Sequence, residues 1–469
     1  MNDRLKRILA NFGYLVSSNL LTVFISSFAI LILPKLIGVA AYGYWQLYIF
    51  YAAYVGFFHL GWVDGIYLKY GGSSYSDLDK PKFYSQFVTF NFFLSFLAIG
   101  VLIFSQIFVI EPDRKFIFAM FALNILITNS RTYIVSLLQA TNKIKLSSFI
   151  LINDRVIYIS LLLFLLAIGN RNYQVMVLSD VVAKLISLLY GVYICRDVLW
   201  LNIKYYSLDI WESIDNIRVG SQLMLSNVAS MLIIGIVRFG VEKNWDIETF
   251  GKISLTLSIS NLMMTFINAV GIVVFPLIKR VSQEQFRKIY SLLQNILMPG
   301  MFIILLLYFP LRIILNAWLP NYSESLAYMA LVFPMSVYEG KMALLIGTYL
   351  KALRMEKDIF KVNFIAMMFS IFLTILTTVV FKNLEAALIS IVILLALRSI
   401  IAELILAKRL QISVSRDILY ELALTVIFIF VGWNFSIPLA AAIYVVVVAI
   451  YLVVKKNDIV QSFKQLKEI

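Results

Sequence analysis

Eight ionisable side chains lie deep inside long apolar segments of this sequence. Each lies within roughly 6 Å of the middle of its segment if that segment is a helix rising about 1.5 Å per residue. Facing lipid, each would cost about 2.5–3.5 kcal/mol, so we expect them to face a polar cavity or one another. They are Arg131, Asp154, Arg155, Asp180, Lys184, Glu339, Lys341 and Arg398.

The basic members of this set outnumber the acidic ones. A surplus of positive charge in a polar cavity favours binding of an anion. We therefore predict that the five bases bind substrate. The three acids, Asp154, Asp180 and Glu339, are candidates to bind protons or sodium.

Purely structural roles compete with these interpretations. Asp180 and Lys184 are four residues apart on one helix face, so mutual neutralisation is as good an interpretation as substrate contact. Asp154 and Arg155 are adjacent and point about 100° apart, so at least one should meet another helix. For Arg131, Arg155, Lys341 and Arg398, the alternative to lining a cavity is an ion pair between helices.

The composition predicts an all-α polytopic membrane protein. The 469 residues are 61% hydrophobic and 14% charged, against about 45–50% and about 25% in soluble domains. About fourteen apolar segments are each close to the roughly 20 residues that cross hydrocarbon as a helix, and their continuity excludes barrel strands. The segments begin near Leu9, Gly43, Phe83, Phe116, Ser147, Tyr173, Val219, Phe250, Tyr290, Ser325, Phe360, Leu384, Ile418 and Ile437.

The distribution of Lys and Arg predicts the orientation. If the spans alternate, most basic residues outside them fall on the side of the two termini, which predicts that both termini are cytoplasmic. The net charge of +14 then marks topology and contact with anionic lipid headgroups, not with nucleic acid.

An internal repeat divides the chain. "SNLLTVFISSFAILILPKLIGVAAYGYW" from Ser18 aligns without a gap with "SNVASMLIIGIVRFGVEKNWDIETFGKI" from Ser226. Six helices per copy is an even number, so the copies are parallel repeats. We predict a six-helix lobe over residues 1–195, a cytoplasmic linker over 196–218, a second lobe over 219–409, and helices 13 and 14 with a cytoplasmic tail over 410–469.

Short motifs along the chain carry a resemblance. The segments "LPKLIGVAAYGYW", "LGWVDGIYLKYGG", "LLQATNKIK", "FGKISLTLSI", "VVFPLIKR" and "TYLKALRMEK" resemble the polysaccharide transporter family. That family contains the O-antigen translocases, or lipid-linked oligosaccharide flippases, of the multidrug/oligosaccharidyl-lipid/polysaccharide exporter superfamily.

The resemblance implies a fold and a function. The fold is two parallel six-helix lobes around a central cavity, with two C-terminal helices that in related lipid II flippases help to form a groove for the lipid tail. The function is movement of a polyprenyl-diphosphate oligosaccharide across a bacterial cytoplasmic membrane by alternating access, beside polysaccharide polymerases and glycosyltransferases. No cofactor is expected beyond a coupling proton or sodium ion.

Three further residues are weaker candidates for substrate binding. Arg238 lies near the outer end of its span, where snorkelling to the interface is the default and the cavity mouth is the alternative. Asn19 and Asn227 occupy equivalent positions in the two repeats. Hydrogen bonding between helices is their first interpretation and sugar contact the second. The related lipid II flippases carry arginines on their first helices and residues 11–33 carry none, so no residue role is transferred from them.

Two other functions compete with the flippase. A multidrug or ion antiporter of the same superfamily usually has twelve spans and a cavity biased toward carboxylates, whereas the deep charges here are mostly basic. A membrane polymerase or glycosyltransferase generally carries its catalytic carboxylates on a large outer loop, and the outer loops here are short. No phosphate-binding glycine loop is present, so the sequence does not predict ATP hydrolysis.

Overall fold

The structure, a computed structural model, describes residues 28–279 and 285–467. All regular elements in those ranges are helices, which confirms the all-α prediction. This is the expected outcome in lipid, where a helix satisfies its own backbone hydrogen bonds. The predicted start of the first span at Leu9 and the candidate residue Asn19 lie outside the described residues.

The chain forms two compact units, Met1–Val228 and Ala229–Ile469. Among the described residues, the first unit contains a helical stretch α1, seen over residues 28–36, and the starts of α2 (Val39–Ala52), α3 (Trp62–Lys69), α4 (Lys80–Phe108), α5 (Pro112–Ala140), α6 (Ile144–Ala167), α7 (Tyr173–Ile194), α8 (Arg196–Leu199) and α9 (Ile210–Asn244).

The described residues of the second unit form the end of α9 and twelve further helices. These are α10 (Ile247–Lys279), α11 (Phe286–Ile304), α12 (Tyr308–Trp318), α13 (Ser323–Ala327), α14 (Met329–Val332), α15 (Met335–Lys341), α16 (Gly347–Ala352), α17 (Glu356–Thr374), α18 (Leu384–Leu410), α19 (Ser415–Asn434), α20 (Ile437–Val454) and α21 (Lys456–Lys467). A π-helical turn, Met342–Ile346, joins α15 to α16.

Eleven helical segments of the described residues are long and apolar enough to cross a membrane. The pair Val39–His59 and Trp62–Lys69, bent by 57°, would make a twelfth. Many of their large apolar side chains are exposed, among them Phe92 and Phe96 on α4 and Val453 on α20. Such side chains are what a lipid-facing surface requires, so the multi-pass membrane assignment follows from length and surface together.

The two breaks that interrupt the repeated segments are tight turns between helices. In the first copy α1 ends at residue 36 and α2 begins at Val39; in the second, α9 ends at Asn244 and α10 begins at Ile247. Asp246 caps α10 by accepting a hydrogen bond from the Thr249 N–H at 2.7 Å. That bond favours the carboxylate and lowers the pKa of Asp246.

The structure changes one boundary of the sequence interpretation. The predicted linker, residues 196–218, contains α8 and a 3₁₀ turn at Ile203–Tyr205, but its last part is already helical because α9 begins at Ile210. Charged residues on this first stretch of α9 pair with the end of α3: Lys69 contacts Glu212 at 3.0 Å and Asp215 at 2.6 Å. The helix therefore begins nine residues before the apolar segment that starts near Val219.

A close backbone contact packs α9 against α3. A Cβ atom built on Gly65 would overlap the backbone carbonyl of Asn216, and one on Gly220 would overlap the backbone of Gly61 and Gly65. Small residues let two helix backbones approach this closely in a membrane. The Asn216 side chain also donates to Gln86 Oε1 at 3.1 Å, so this contact ties the start of α9 to α3 and α4.

We expect Gly65→Ala to destabilise the protein. The added methyl must displace backbone, and overpacking of this kind costs about 1–3 kcal/mol. The measurement is thermal unfolding of the purified chain in detergent. Gly100→Ala on α4 is the matched control, since its new Cβ meets nothing within 4 Å and alanine favours the helix. Equal unfolding temperatures for the two variants would contradict the packing argument.

Candidate functional site

Five of the eight predicted side chains meet in the first unit. Arg131 comes from α5, Asp154 and Arg155 from α6, and Asp180 and Lys184 from α7. We call these five residues the first-unit cluster. It holds three cations and two carboxylates, so it carries a surplus of one positive charge.

Asp180 is the most extensively bonded carboxylate of the cluster. It accepts from Lys184 Nζ at 2.6 Å, the pair expected from their spacing, and from the hydroxyl of Tyr48 on α2. Asn124 on α5 closes the group: its Oδ1 accepts from Lys184 at 3.0 Å and its Nδ2 donates to Tyr48 at 2.9 Å. Lys184 therefore has its charge balanced within the unit.

Arg131 and Asp154 form a buried ion pair between α5 and α6. The Arg131 guanidinium donates to Asp154, and both side chains are less than a tenth exposed. This agrees with the expectation that one of the adjacent residues Asp154 and Arg155 must meet another helix. In this structure Arg131 plays the structural role that the sequence left as its alternative.

Arg155 differs from the other bases of the cluster. Its guanidinium lies 3.9 Å from Asp154 and 4.0 Å from Asp180, and 32% of its side chain is exposed. The two carboxylates are each closer to another cation. Arg155 is consequently the member of the cluster whose charge is least balanced and whose side chain is most exposed, which makes it the best placed to bind an anion.

Arg398 anchors a second polar group, within the second unit. Its guanidinium donates to Asn363 Oδ1 at 2.8 Å, to Ser230 Oγ at 2.9 Å and to Glu339 Oε1 at 3.1 Å. These partners lie on α17, α9 and α15. Glu339 remains a quarter exposed, so this group is polar and reachable on its glutamate side.

Lys341 forms a separate cluster with two glutamates. Its ammonium lies 2.5 Å from Glu403 on α18 and 2.7 Å from Glu421 on α19, and all three side chains are almost fully buried. Neither glutamate was among the sequence candidates. We call Lys341, Glu403 and Glu421 the Lys341 cluster.

The position of the two glutamates explains why they were missed. Glu403 lies seven residues before the end of α18, and Glu421 lies six residues after the start of α19. A criterion based on distance from the middle of a span treats both as interface residues. A glutamate inside the apolar part of each of two consecutive spans was the available signal, and it becomes informative only when the helices are seen to pack together.

The remaining sequence candidates lie apart from these groups. Arg238 donates to Ser254 Oγ at 3.0 Å and lies over the Phe250 ring at 5.6 Å, both on α10. Asn227 lies on α9 with an exposed side chain. Asn19 is outside the described residues, so the predicted equivalence of the two asparagines stays a prediction.

An apolar groove runs between α18 and α19 in the second unit. Its volume is about 610 Å³, and its walls include Val392, Ile393 and Ile400 on α18 and Val426 and Ile429 on α19. Tyr338 lies in its floor and donates to Thr425 Oγ1 at 2.9 Å. Glu385 is the one ionisable carboxylate among the described residues that line it. This volume is within the usual range of small-molecule sites.

Solved structures show which fold this is. The lipid II flippase MurJ in an inward closed conformation superposes with a TM-score of 0.65 at 14% identity, covering 96% of this chain and 100% of that one. An inward-facing multidrug resistance MATE family transporter of the MOP superfamily gives 0.61 at 12% identity, covering 84% and 98%. The sequence matches no protein-family model and no curated protein. The chain therefore has the fold of MOP-superfamily transporters, as the sequence motifs predicted.

We expect Arg131→Met to destabilise the first unit strongly. Removal of one partner of a buried ion pair costs about 3–5 kcal/mol, because it leaves the other charge buried. The cost should fall at the lower end, since Arg155 lies 3.9 Å from Asp154. The double variant Arg131→Met/Asp154→Leu should recover most of the loss in thermal unfolding.

The exposed pair of Arg416 and Asp458, 2.8 Å apart, supplies the control for that comparison. Arg416→Met should cost less than about 1 kcal/mol, because solvent screens an exposed pair. Similar losses of stability for Arg131→Met and Arg416→Met would show that the Arg131–Asp154 pair is not buried from solvent.

Proposed function

We propose that this protein is a flippase. It carries a polyprenyl-diphosphate-linked oligosaccharide from the inner to the outer leaflet of a bacterial cytoplasmic membrane by alternating access, for the synthesis of a cell-surface polysaccharide. The observation that carries the proposal is the apolar groove between α18 and α19. The surplus charge at the partly exposed Arg155 supports it.

The substrate class follows from the cost of crossing hydrocarbon. Each sugar hydroxyl brought unbonded into an apolar medium costs a few kcal/mol, and a diphosphate costs far more. The polyprenyl chain has the opposite preference. A carrier for such a molecule needs an apolar surface for the chain and a polar, cationic environment for the head.

The groove has the character that a polyprenyl chain requires. Its walls are branched aliphatic and aromatic side chains of α18 and α19, and it is open to the outside of the unit. The α19 and α20 pair is the C-terminal addition that the resemblance assigns to lipid-tail binding. A cationic drug would instead require carboxylates along the groove, and the lining residues of the described chain offer only Glu385, at one end.

Arg155 has the character that the diphosphate requires. Arginine binds phosphate oxygens through two parallel N–H donors. Its guanidinium is only loosely held by Asp154 and Asp180, so an incoming phosphate has little protein bonding to displace. Arg398 is the second candidate, through exchange of Glu339 for phosphate. Lys184, Lys341 and Arg131 then serve mainly to hold helices together.

The other parts of the proposal are carried from the sequence. Both termini are cytoplasmic, polysaccharide polymerases and glycosyltransferases are the partners, and a proton or sodium gradient supplies the energy.

The antiporter is the second candidate, since a MATE family transporter shares this fold over 84% of the chain. A knockout that accumulates lipid-linked oligosaccharide on the inner leaflet supports the flippase. Unchanged lipid pools together with drug sensitivity would instead identify an antiporter.

We expect Arg155→Gln to weaken transport of the diphosphate-linked substrate. Loss of a charge-assisted hydrogen bond costs about 1.5–3 kcal/mol, which corresponds to roughly a 10- to 100-fold rise in the half-saturating concentration. The measurement is flipping of a polyprenyl-diphosphate oligosaccharide in liposomes. Arg171→Gln, in the exposed turn between α6 and α7, is the control and should flip at the wild-type rate. If Arg155→Gln transports the substrate with the wild-type half-saturating concentration, Arg155 does not bind the phosphate.

We expect Val426→Trp to obstruct the groove. Val426 is 63% exposed and lines the groove, so the indole can fill it without disturbing the core. Transport of a long-chain substrate should fall by about tenfold or more, equivalent to about 1.4 kcal/mol, and a short-chain analogue should be affected less.

Val446→Trp is the matched control for the groove. Val446 is 57% exposed on α20, outside the groove lining, so its variant should behave as wild type. Equal transport by the two tryptophan variants would show that the groove does not bind the lipid chain.

A further inference from the structure

The Lys341 cluster is out of charge balance. One ammonium faces two carboxylates, and the exposed fractions of the three side chains are 1%, 0% and 3%. A net negative charge at such a depth costs several kcal/mol unless something neutralises it. The first-unit cluster has no such problem, because its surplus charge is on the partly exposed Arg155.

The hydrogen bonds of the cluster are already committed. The three ammonium protons of Lys341 are matched by three acceptors: Glu403 Oε2 at 2.5 Å and the two Glu421 oxygens at 2.7 Å each. The second oxygen of Glu403 accepts from Tyr290 and Gln294 on α11, both at 2.9 Å. Lys341 and Glu403 are therefore both satisfied in their ionised forms, and the excess charge falls on the pair of carboxylates.

Within the part of the chain that the structure describes, the surrounding elements do not supply the missing positive charge. On α19, Asp417 adds a further negative charge and is itself paired with Lys455. On α20 and α15, Tyr451 and Tyr338 are the titratable neighbours that interact with Glu421, and both are neutral phenols. A metal cation would have to take carboxylate oxygens that the Lys341 ammonium already occupies, whereas a proton needs only one oxygen.

We propose that Glu403 and Glu421 bind a single proton between them, with Lys341 as the fixed cation of the site. The proton belongs to the coupled pair and not to either residue alone. With the proton bound, the cluster is neutral; without it, the cluster carries one negative charge. The proton-bound form is consequently the more stable one at this depth. The sequence predicted coupling at Asp154, Asp180 or Glu339, and this site uses none of them.

The site is built into the same helices as the apolar groove. The cluster residues belong to α15, α18 and α19, and the groove is lined by α18 and α19 with Tyr338 of α15 in its floor. Thr425 lies one helical turn after Glu421 and bonds Tyr338. The π-helical turn begins directly after Lys341, an irregularity often found at functional positions.

Release of the proton would make the two carboxylates repel each other across Lys341, and this would shift α19 against α18. The groove lies between those helices, so its width should respond to protonation. This second step rests on the proposed function, because it assigns the groove to the lipid chain. The proton site itself does not.

The test uses the purified full chain in lipid nanodiscs, without any lipid-linked substrate. Infrared difference spectra between acid and alkaline pH should show the carbonyl stretch of a protonated, buried carboxyl group that is lost as the pH rises. The signal should disappear in both Glu403→Gln and Glu421→Gln. It should persist in Glu356→Gln, which changes an exposed glutamate at the start of α17.

Thermal unfolding supplies a second measurement that does not depend on band assignment. Stability of the wild type should fall as pH rises and the proton is lost, because only the folded state favours the protonated pair. Glu421→Gln leaves a neutral Lys341–Glu403 pair, so its unfolding temperature should lose this dependence and exceed that of the wild type at alkaline pH. If the glutamine variants do not fold, Glu421→Asp with an intact infrared signal still supports the site.

Three results would overturn the proposal: no protonated carboxyl signal in the wild type, a signal that survives in both glutamine variants, or sodium-dependent stabilisation of the wild type that Glu421→Gln abolishes. The last would replace the proton by a sodium ion. Because no substrate is present, failure of the flippase proposal leaves these results unchanged. If the wild type binds the proton but Glu421→Gln flips substrate at the wild-type rate, the proton site stands and its coupling to transport does not.

Discussion

The structure depends on the cost of placing a charge in hydrocarbon. Each deep charged residue predicted from the sequence lies within 4.0 Å of an opposite charge on the same or another helix. In lipid there is little hydrophobic driving force between helices, so van der Waals packing and polar contacts must hold a bundle together. The Arg131–Asp154, Tyr48–Asp180 and Arg398–Glu339 contacts each join two helices, so the charged residues hold the helices of each unit together.

The same constraint identifies where function can reside. A pair that is balanced and buried, such as Arg131 with Asp154, has little left to offer a ligand. The imbalances are more informative: the first-unit cluster has an extra cation at the partly exposed Arg155, and the Lys341 cluster has an extra carboxylate that is fully buried. A partly exposed surplus of positive charge favours binding of an anion. A buried surplus of negative charge favours binding of a proton.

The proposed cargo also has an apolar chain, and the apolar groove is the surface that would hold it. Its walls come from α18 and α19, and the Lys341 cluster joins these helices one turn away. A chain bound in the groove and a proton bound in the cluster would act on the same pair of helices. Local coupling of this kind needs no long pathway through the protein, only two helices whose spacing both ligands affect.

The sequence by itself determined the membrane fold, most helix starts within a few residues but not that of α9, the two tight turns of the repeat and the likeness to MOP-superfamily transporters. These follow from local properties: apolar length, glycine and proline positions, and capping residues such as Asp246. It also offered the Asp180–Lys184 pair as one of two equal interpretations, because i, i+4 contacts need no knowledge of neighbouring helices. Only the tertiary structure decided that Arg131 is held by Asp154, that Arg155 is left accessible, and that Lys341 meets Glu403 and Glu421. Those outcomes depend on which helix faces which, and a sequence read one helix at a time contains no such information.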